Sequence, residues 1–472
     1  MRKGDVFTLK IASLAPGGEA VSKDLGFPVF INRGCAGDTV EAKFYDVRKG
    51  FAKASILQVL QPSSWRQEAP CKLFKVCGGC QWQHINYEGQ LLFKQDIVKQ
   101  SLKHVGGMTP EFVDAVVEPT LGASDPLYYR NKVQFPVDRP RDSTRILAGY
   151  YKEGSHELVN IKHCPVQPSI LDNILDVAKL VCEHYNFSTY DEKTGQGFLR
   201  HINMRISKAN NHVLLTLVLN TKTPNLEQMQ LVAKDIMDQA PDVKGVFVNL
   251  NAKAGNKIYG DKTLRVRGNE YIVERLTSKR EDAPEKLKQG LEFRLSPSSF
   301  FQVNTEQAER LLDEILACLN NKPTKRDLAI DAYAGVGTMA SWLATIFNKV
   351  IAVEEYPSSV SDGKINLELN GLDNVEFLES RVEDALPALK EQGHKVDLVL
   401  LDPPRKGISP EAMAGVLGLG AKEIIYVSCN PVTLARDLKI LSENGYQLLR
   451  LKPVDMFPQT YHVESVSHLI LK

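Results

Sequence analysis

The sequence predicts a multidomain α/β protein with a small OB-like β-barrel first, an α+β unit in the middle, and a Rossmann-like, doubly wound parallel sheet at the carboxyl end. Three patterns carry this. From about residue 295, apolar strand-like runs alternate regularly with helical ones, the signature of parallel βαβ units. Before residue 60, short strands are split by glycine-rich turns, as in small barrels. Between Tyr128 and about residue 270, strand runs such as Val213–Leu219 mix with helical ones near 226–240, as in α+β domains.

The barrel is expected over residues 1–62, with strands near 6–11, 29–31, 39–44 and 52–57 and a turn at Gly17-Gly18. Nine basic residues, among them Arg2, Lys10, Arg33 and Lys53, face six acids there, a mild excess of the kind that lets such barrels hold single-stranded nucleic acid. Pro62-Ser63-Ser64 marks a linker. The central unit spans 63–290. It begins with Cys71, Cys77 and Cys80, continues into a helical pattern at 87–105, and closes on an exposed interdomain loop near 279–285. The helical segment about 87–122 is expected to pack with the last domain. That domain, 291–472, carries strands near 328–333, 349–354, 375–378, 396–401, 423–427, 446–452 and 464–471.

The chain has 472 residues, 43% of them apolar and 24% charged, with a net charge of +1. These are values of an ordinary globular protein. No apolar run is long enough to span a bilayer, and Met1-Arg2-Lys3-Gly4-Asp5-Val6 leads into no signal core. A cytoplasmic, monomeric protein without membrane partners is expected. In a reducing compartment the eight cysteines point to ligands or catalysis rather than disulfides. Cys35, Cys182 and Cys318 stand alone in apolar surroundings and read as small buried residues.

Chemistry concentrates at three strand ends. Gly335-Val336-Gly337 follows a strand and allows a tight turn close to a ligand, and Glu354 at the end of the next strand is placed to accept the hydroxyls of a ribose. Glu355 beside it leaves that assignment open by one residue. No Lys-Ser or Lys-Thr pair follows the loop, which disfavours a P-loop. With Asp402-Pro403-Pro404 at another strand end, the set resembles an S-adenosylmethionine-dependent methyltransferase domain. Cys429, in Ser428-Cys429-Asn430-Pro431, ends a buried strand. Carbon 5 of uracil is a poor nucleophile, so its methylation begins with addition of a thiolate to carbon 6 and ends with removal of the carbon 5 proton by a base. Cys429 supplies the first group and Glu464 is the candidate for the second.

These motifs, with Cys71-x5-Cys77-Gly78-Gly79-Cys80-x2-Gln83-His84, Phe300-Phe301-Gln302-Val303-Asn304, Asp331-x-Tyr333 and His462-Val463-Glu464, resemble the bacterial iron-sulfur 23S rRNA (uracil-C5)-methyltransferases of the RumA/RlmD type over nearly the whole chain. The resemblance implies that Gln302, Tyr333, Glu354 and Asp402 contact S-adenosylmethionine, that Cys429 is the nucleophile and Glu464 the base, and that the first 60 residues are a TRAM domain. It also implies that Cys164 joins Cys71, Cys77 and Cys80 around a 4Fe-4S cluster of structural role, where spacing alone leaves zinc open. The implied partner is 23S ribosomal RNA with a flipped uridine, and one of Phe300 and Phe301 is expected to stack on a base or adenine while the other is core. This sequence departs from the family pattern in the cofactor loop, where Ala334 stands at a position that relatives often fill with Cys or Ser.

Three other functions compete. The same chemistry on a transfer RNA uridine shares the catalytic core. Amino-group methylation by a D-P-P-Y type domain has Arg405 in place of the aromatic and no use for Cys429. A non-catalytic RNA-binding protein or iron-sulfur sensor has no use for Cys429 or Glu464.

Overall fold

The computed structural model describes residues 1–140, 143–319 and 326–472. Its last sheet positions the chemistry. Seven strands, β1 (Arg326–Ala332), β2 (Phe347–Glu354), β3 (Val375–Glu379), β4 (Leu398–Leu401), β5 (Glu423–Ser428), β6 (Tyr446–Val454) and β7 (Glu464–Leu471), lie in the order β3-β2-β1-β4-β5-β7-β6. The first five are mutually parallel. Helices cover both faces, so the apolar stretches Leu328–Ile330 of β1, Leu398–Leu401 of β4 and Ile424–Val427 of β5 are buried on both sides. Ala329, Leu398, Leu400, Ile425 and Val427 enter one core, and Ile330, Val399, Leu401, Ile424 and Tyr426 the other. The order reverses beside β1, which opens a crevice at the carboxyl ends of β1 and β4.

β7 runs antiparallel to both neighbours. It slots between β5 and β6, so its first residue, not its last, sits at the carboxyl edge of the parallel strands. This reversal puts Glu464 on the edge where β5 ends.

The N-terminal unit is a six-stranded sheet in the order Val6–Lys10, Thr39–Arg48, Phe51–Gln61, Val29–Asn32, Ala20–Ser22, Ser13–Leu14. Its core of Leu9, Val29, Ile31, Val40 and Phe44 continues into Trp82, Ile85 and Phe93. The middle of the chain builds a seven-stranded sheet between Lys132–Asp138 and Lys262–Gly268, with Ser169–His184 and Leu226–Gln239 packed on one face. Val98 and Leu102 of the helix Tyr87–His104, and Val113 and Val116 of Pro110–Val116, pack into the core of the last sheet.

The 279–285 stretch differs from expectation. It joins two antiparallel strands, Ile272–Leu276 and Leu291–Leu295, and Ile272, Leu276, Ala283 and Leu287 are buried in the core of the last sheet. The charged run 279–282 looks like a linker locally, yet the apolar residues flanking it are spaced to close a hairpin. No helix among the described residues is long and apolar enough to cross a membrane.

Candidate active site

After β1 the chain leaves the sheet through left-handed residues: Tyr333 at φ 73°, Gly335 at 56° and Gly337 at 78°. For a tyrosine that conformation is uncommon and strained. At Gly337 a side chain would also be blocked, since a Cβ would come within 2.9 Å of the Phe377 ring. The turn exposes its N–H groups to the end of β2, where Glu354 Oε2 accepts from Gly335 N (2.8 Å) and Oε1 from Tyr356 N (2.9 Å). Glu354 is buried and oriented, whereas Glu355 is exposed. Position alone could not separate the two acids; burial does.

Two adjoining spaces open here. One, of about 60 Å³, is lined by Gln302, Asp331, Tyr333 and Asp402; the other, of about 730 Å³, by Tyr333, Glu354, Tyr356 and Arg381. Phe300 borders both. The four expected cofactor contacts therefore surround one crevice. Phe300 is 65% exposed, while Phe301 is 5% exposed and packs its ring 6.1 Å from Phe293, so the two phenylalanines divide into a surface platform and a core residue.

Burial pushes the Asp402 carboxyl up to about 7. Asp331, whose two oxygens lack hydrogen-bond partners among the described residues, is held well above the usual carboxylate range by burial and by Asp402 beside it. Two enclosed acids resist joint ionisation. A cationic ligand would relieve both. Asp331 was visible in the sequence only as a motif letter, since burial without a partner is a tertiary property.

β5 and β7 bring the second pair together. Ser428 pairs with Ser465, so the antiparallel register sets Cys429 opposite Glu464. Asn430 then caps the helix Pro431–Glu443, its Oδ1 accepting from Val432 N at 3.1 Å, while its Nδ2 donates to Arg405 O at 3.1 Å. Such a cap is worth about 1 kcal/mol and fixes Cys429 at the exit from the strand. Cys429 lines a cavity of about 300 Å³ with Arg405 and His462.

The electrostatics of this pair are those of a resting state. Burial, then Glu464 and Asp402, push the Cys429 thiol up to about 11, with Arg405 opposing. Burial and Asp402 push the Glu464 carboxyl up to about 8. Burial, with Arg405, brings His462 down to about 4. At neutral pH the thiol and the carboxyl both hold their protons, so the site keeps its charge low until a ligand enters.

Cys71, Cys77, Cys80 and Cys164 line one cavity of about 200 Å³. Among the described residues no group of three or more His, Cys, Asp or Glu that could hold a metal ion is found. Burial pushes Cys80 and Cys164 up to about 12, each raised further by its cysteine neighbours. Cys35, Cys182 and Cys318 are buried as expected.

Comparison with known proteins shows the family of the chain. The profile of the tRNA (uracil-5-)-methyltransferase family matches residues 262–472. An uncharacterized RNA methyltransferase of Gloeobacter violaceus is 38% identical over 99% of this chain and 97% of its own length, and one of Bacillus cereus is 34% identical over 99% and 96%. The crystal structure of Pyrococcus abyssi tRNA (uracil-54, C5)-methyltransferase, in complex with S-adenosyl-L-homocysteine, superposes with a TM-score of 0.73 at 25% identity, covering 98% of this chain and 99% of that one. With relatives matched from end to end and the uracil-5 profile lying over the catalytic sheet, the chain belongs to the RNA methyltransferases of the tRNA (uracil-5-)-methyltransferase family.

Proposed function

Within this family's reaction, methyl transfer from S-adenosylmethionine to carbon 5 of an RNA uracil, we propose that Cys429 adds to carbon 6 and Glu464 removes the carbon 5 proton. The observation that carries this is the β5–β7 register, which opposes a thiol and a buried carboxyl beside the crevice. Cys429 first loses its proton to solvent at the open cavity, favoured by the Arg405 cation beside it. The thiolate then makes the Sγ–C6 bond as the C5–C6 π electrons shift to form an enolate on the uracil oxygen, and Glu464 likewise reacts from its ionised form. Carbon 5 then takes the methyl group from the sulfonium, releasing S-adenosylhomocysteine. Ionised Glu464 accepts the carbon 5 proton, the ring electrons return, and the Sγ–C6 bond breaks. Gln302, Tyr333, Glu354 and Asp402 hold the donor, whose positive sulfonium and ammonium groups suit a crevice with two enclosed acids.

The substrate we propose is a flipped uridine of 23S ribosomal RNA, on the strength of the cysteine pattern, with Phe300 as the stacking platform. The TRAM assignment of residues 1–62, the central RNA-binding unit 63–290 and the catalytic domain 291–472 belong to the same reading. So does a 4Fe-4S cluster held by Cys71, Cys77, Cys80 and Cys164. What supports this reading is that the four cysteines line one cavity, and the place of Cys71, Cys77 and Cys80 in the segment joining the N-terminal and central sheets would give the group a structural role.

A second reading has a specific observation in its favour: the P. abyssi enzyme, similar over the full chain, acts on tRNA. Mapping 5-methyluridine in ribosomal and transfer RNA from cells lacking this protein decides between them. Loss confined to 23S ribosomal RNA is the expected result, and loss confined to transfer RNA refutes that target. Restoring the gene with Cys429→Ala should not return the mark.

A further inference from the structure

The turn 15–19 joins the strands Ser13–Leu14 and Ala20–Ser22 of the N-terminal sheet. It is closed by its own backbone, Ala15 N donating to Glu19 O (2.8 Å) and Gly18 N to Ala15 O (2.9 Å). Its tip reaches the far end of the molecule's chemistry: Pro16 and Gly17 line the same cavity as Cys429, Arg405 and His462. Two contacts fix it there. The indole Nε1 of the buried Trp82 donates to Gly18 O at 3.1 Å. At Gly18, φ is +89°, and a Cβ would fall 2.5 Å from the Tyr461 ring. Tyr461 packs on the N-terminal core and lies with its ring centroid 4.3 Å from that of His462.

Gly17 differs from Gly18. Its φ is not left-handed, and a Cβ would meet only the flexible Glu19 carboxyl, at 2.5 Å. The fold does not require glycine at 17. Gly17 lines the cavity that Cys429 lines, so a large side chain there must displace the Glu19 carboxyl or enter that space.

We propose that the turn 15–19 is the outer wall of the pocket that receives the target nucleotide, so that the N-terminal sheet sets access to Cys429 in addition to any affinity it adds for RNA. Pro16 and Gly17, the turn residues that line the cavity, carry no charge, and Arg405 is the cation lining it beside the thiol. A cavity of about 300 Å³ is at the small end of ligand pockets and suits one pyrimidine nucleotide inserted edge-on, its base toward Cys429 and its phosphate toward solvent. The inference rests on reading Cys429 as the nucleophile, and its test separates the two ideas.

The full-length protein is alkylated with iodoacetamide and, separately, with a bulky fluorescein maleimide, and the Cys429 peptide is followed by mass spectrometry, with Cys429→Ala assigning the signal. Gly17→Leu thickens the wall and Pro16→Gly thins it. Gly17→Leu is expected to slow the bulky reagent at least tenfold, to slow iodoacetamide less, and to lower RNA methylation with unchanged S-adenosylmethionine affinity. Pro16→Gly is expected to speed the bulky reagent severalfold. Wild-type alkylation rates in both folded variants overturn the wall. If Gly17→Leu fails to fold, Pro16→Gly decides alone, an unchanged rate overturning the proposal and a faster one supporting it. If alkylation responds as expected while Cys429→Ala still methylates RNA, the wall stands and the nucleophile falls.

Discussion

Glu464→Gln removes a proton acceptor while keeping the shape of the site, and its consequences can be worked from the burial of one carboxyl. Burial and Asp402 raise Glu464 from 4.5 to about 8. Because the folded value lies above the unfolded one, the associated stability is present below pH 4.5 and is lost as pH rises through about 8. At about 1.4 kcal/mol per pKa unit, keeping the group neutral at pH 7 costs the native state about 3 kcal/mol, growing to about 5 kcal/mol at pH 9. Gln carries no such cost. In urea unfolding, the stability of Glu464→Gln relative to wild type should therefore rise by about 3 kcal/mol between about pH 5.5 and 8.5, with Asp402, present in both proteins, cancelling to first order. The catalytic consequence runs the other way. As a base Glu464 must be ionised, and with a value near 8 about one-tenth is ionised at pH 7, so wild-type proton removal should speed about tenfold from pH 7 to 9. The Gln variant should complete methyl transfer and stall as a methylated RNA–Cys429 adduct, seen as a slow band on a denaturing gel. Parallel stability curves, or wild-type turnover by Glu464→Gln, would refute the assignment of this carboxyl as a buried base.

Anaerobically purified protein should be brown with about four irons per chain, and Cys164→Ser should lose them; one zinc and no visible absorbance would reject the cluster. Asp402→Asn, which removes one of the enclosed acids facing the crevice, should weaken S-adenosylmethionine binding by about 10- to 100-fold, the value of a charged contact of about 1.5–3 kcal/mol, as read by calorimetry. The Lys94–Asp455 ion pair is fully buried and ties the helix Tyr87–His104 to the loop before β7. Lys94→Met leaves Asp455 uncompensated and should cost about 3–5 kcal/mol in chemical denaturation, a loss largely recovered by also replacing Asp455 with Leu.

Much of this protein is local and hence legible in its chain. The strands of the last sheet are short apolar runs closed by turn residues, and each appears within a few residues of its expected bounds, because a strand buried on both faces declares itself in sequence without help from its neighbours. Cys429, Asp402 and the Gly335-Val336-Gly337 turn stand at strand ends for the same reason. What tertiary structure decided is whatever depends on which segments meet. Only the antiparallel insertion of β7 sets Glu464 against Cys429. Burial chose Glu354 over Glu355 and Phe301 over Phe300 for the interior, although each pair is chemically alike in sequence. Cys164 joins the other three cysteines around one cavity only when the central sheet folds beside them. The raised values arise from enclosure alone for Asp402, and from enclosure plus nearby acids for Cys429 and Glu464, which no spacing encodes. The Gly17-Gly18 turn shows the division most simply. Its bend was evident from two glycines, but its place beside the cavity that Cys429 lines follows from the packing of distant segments, a long-range contact whose energy lies in surfaces and not in the residues that make the turn.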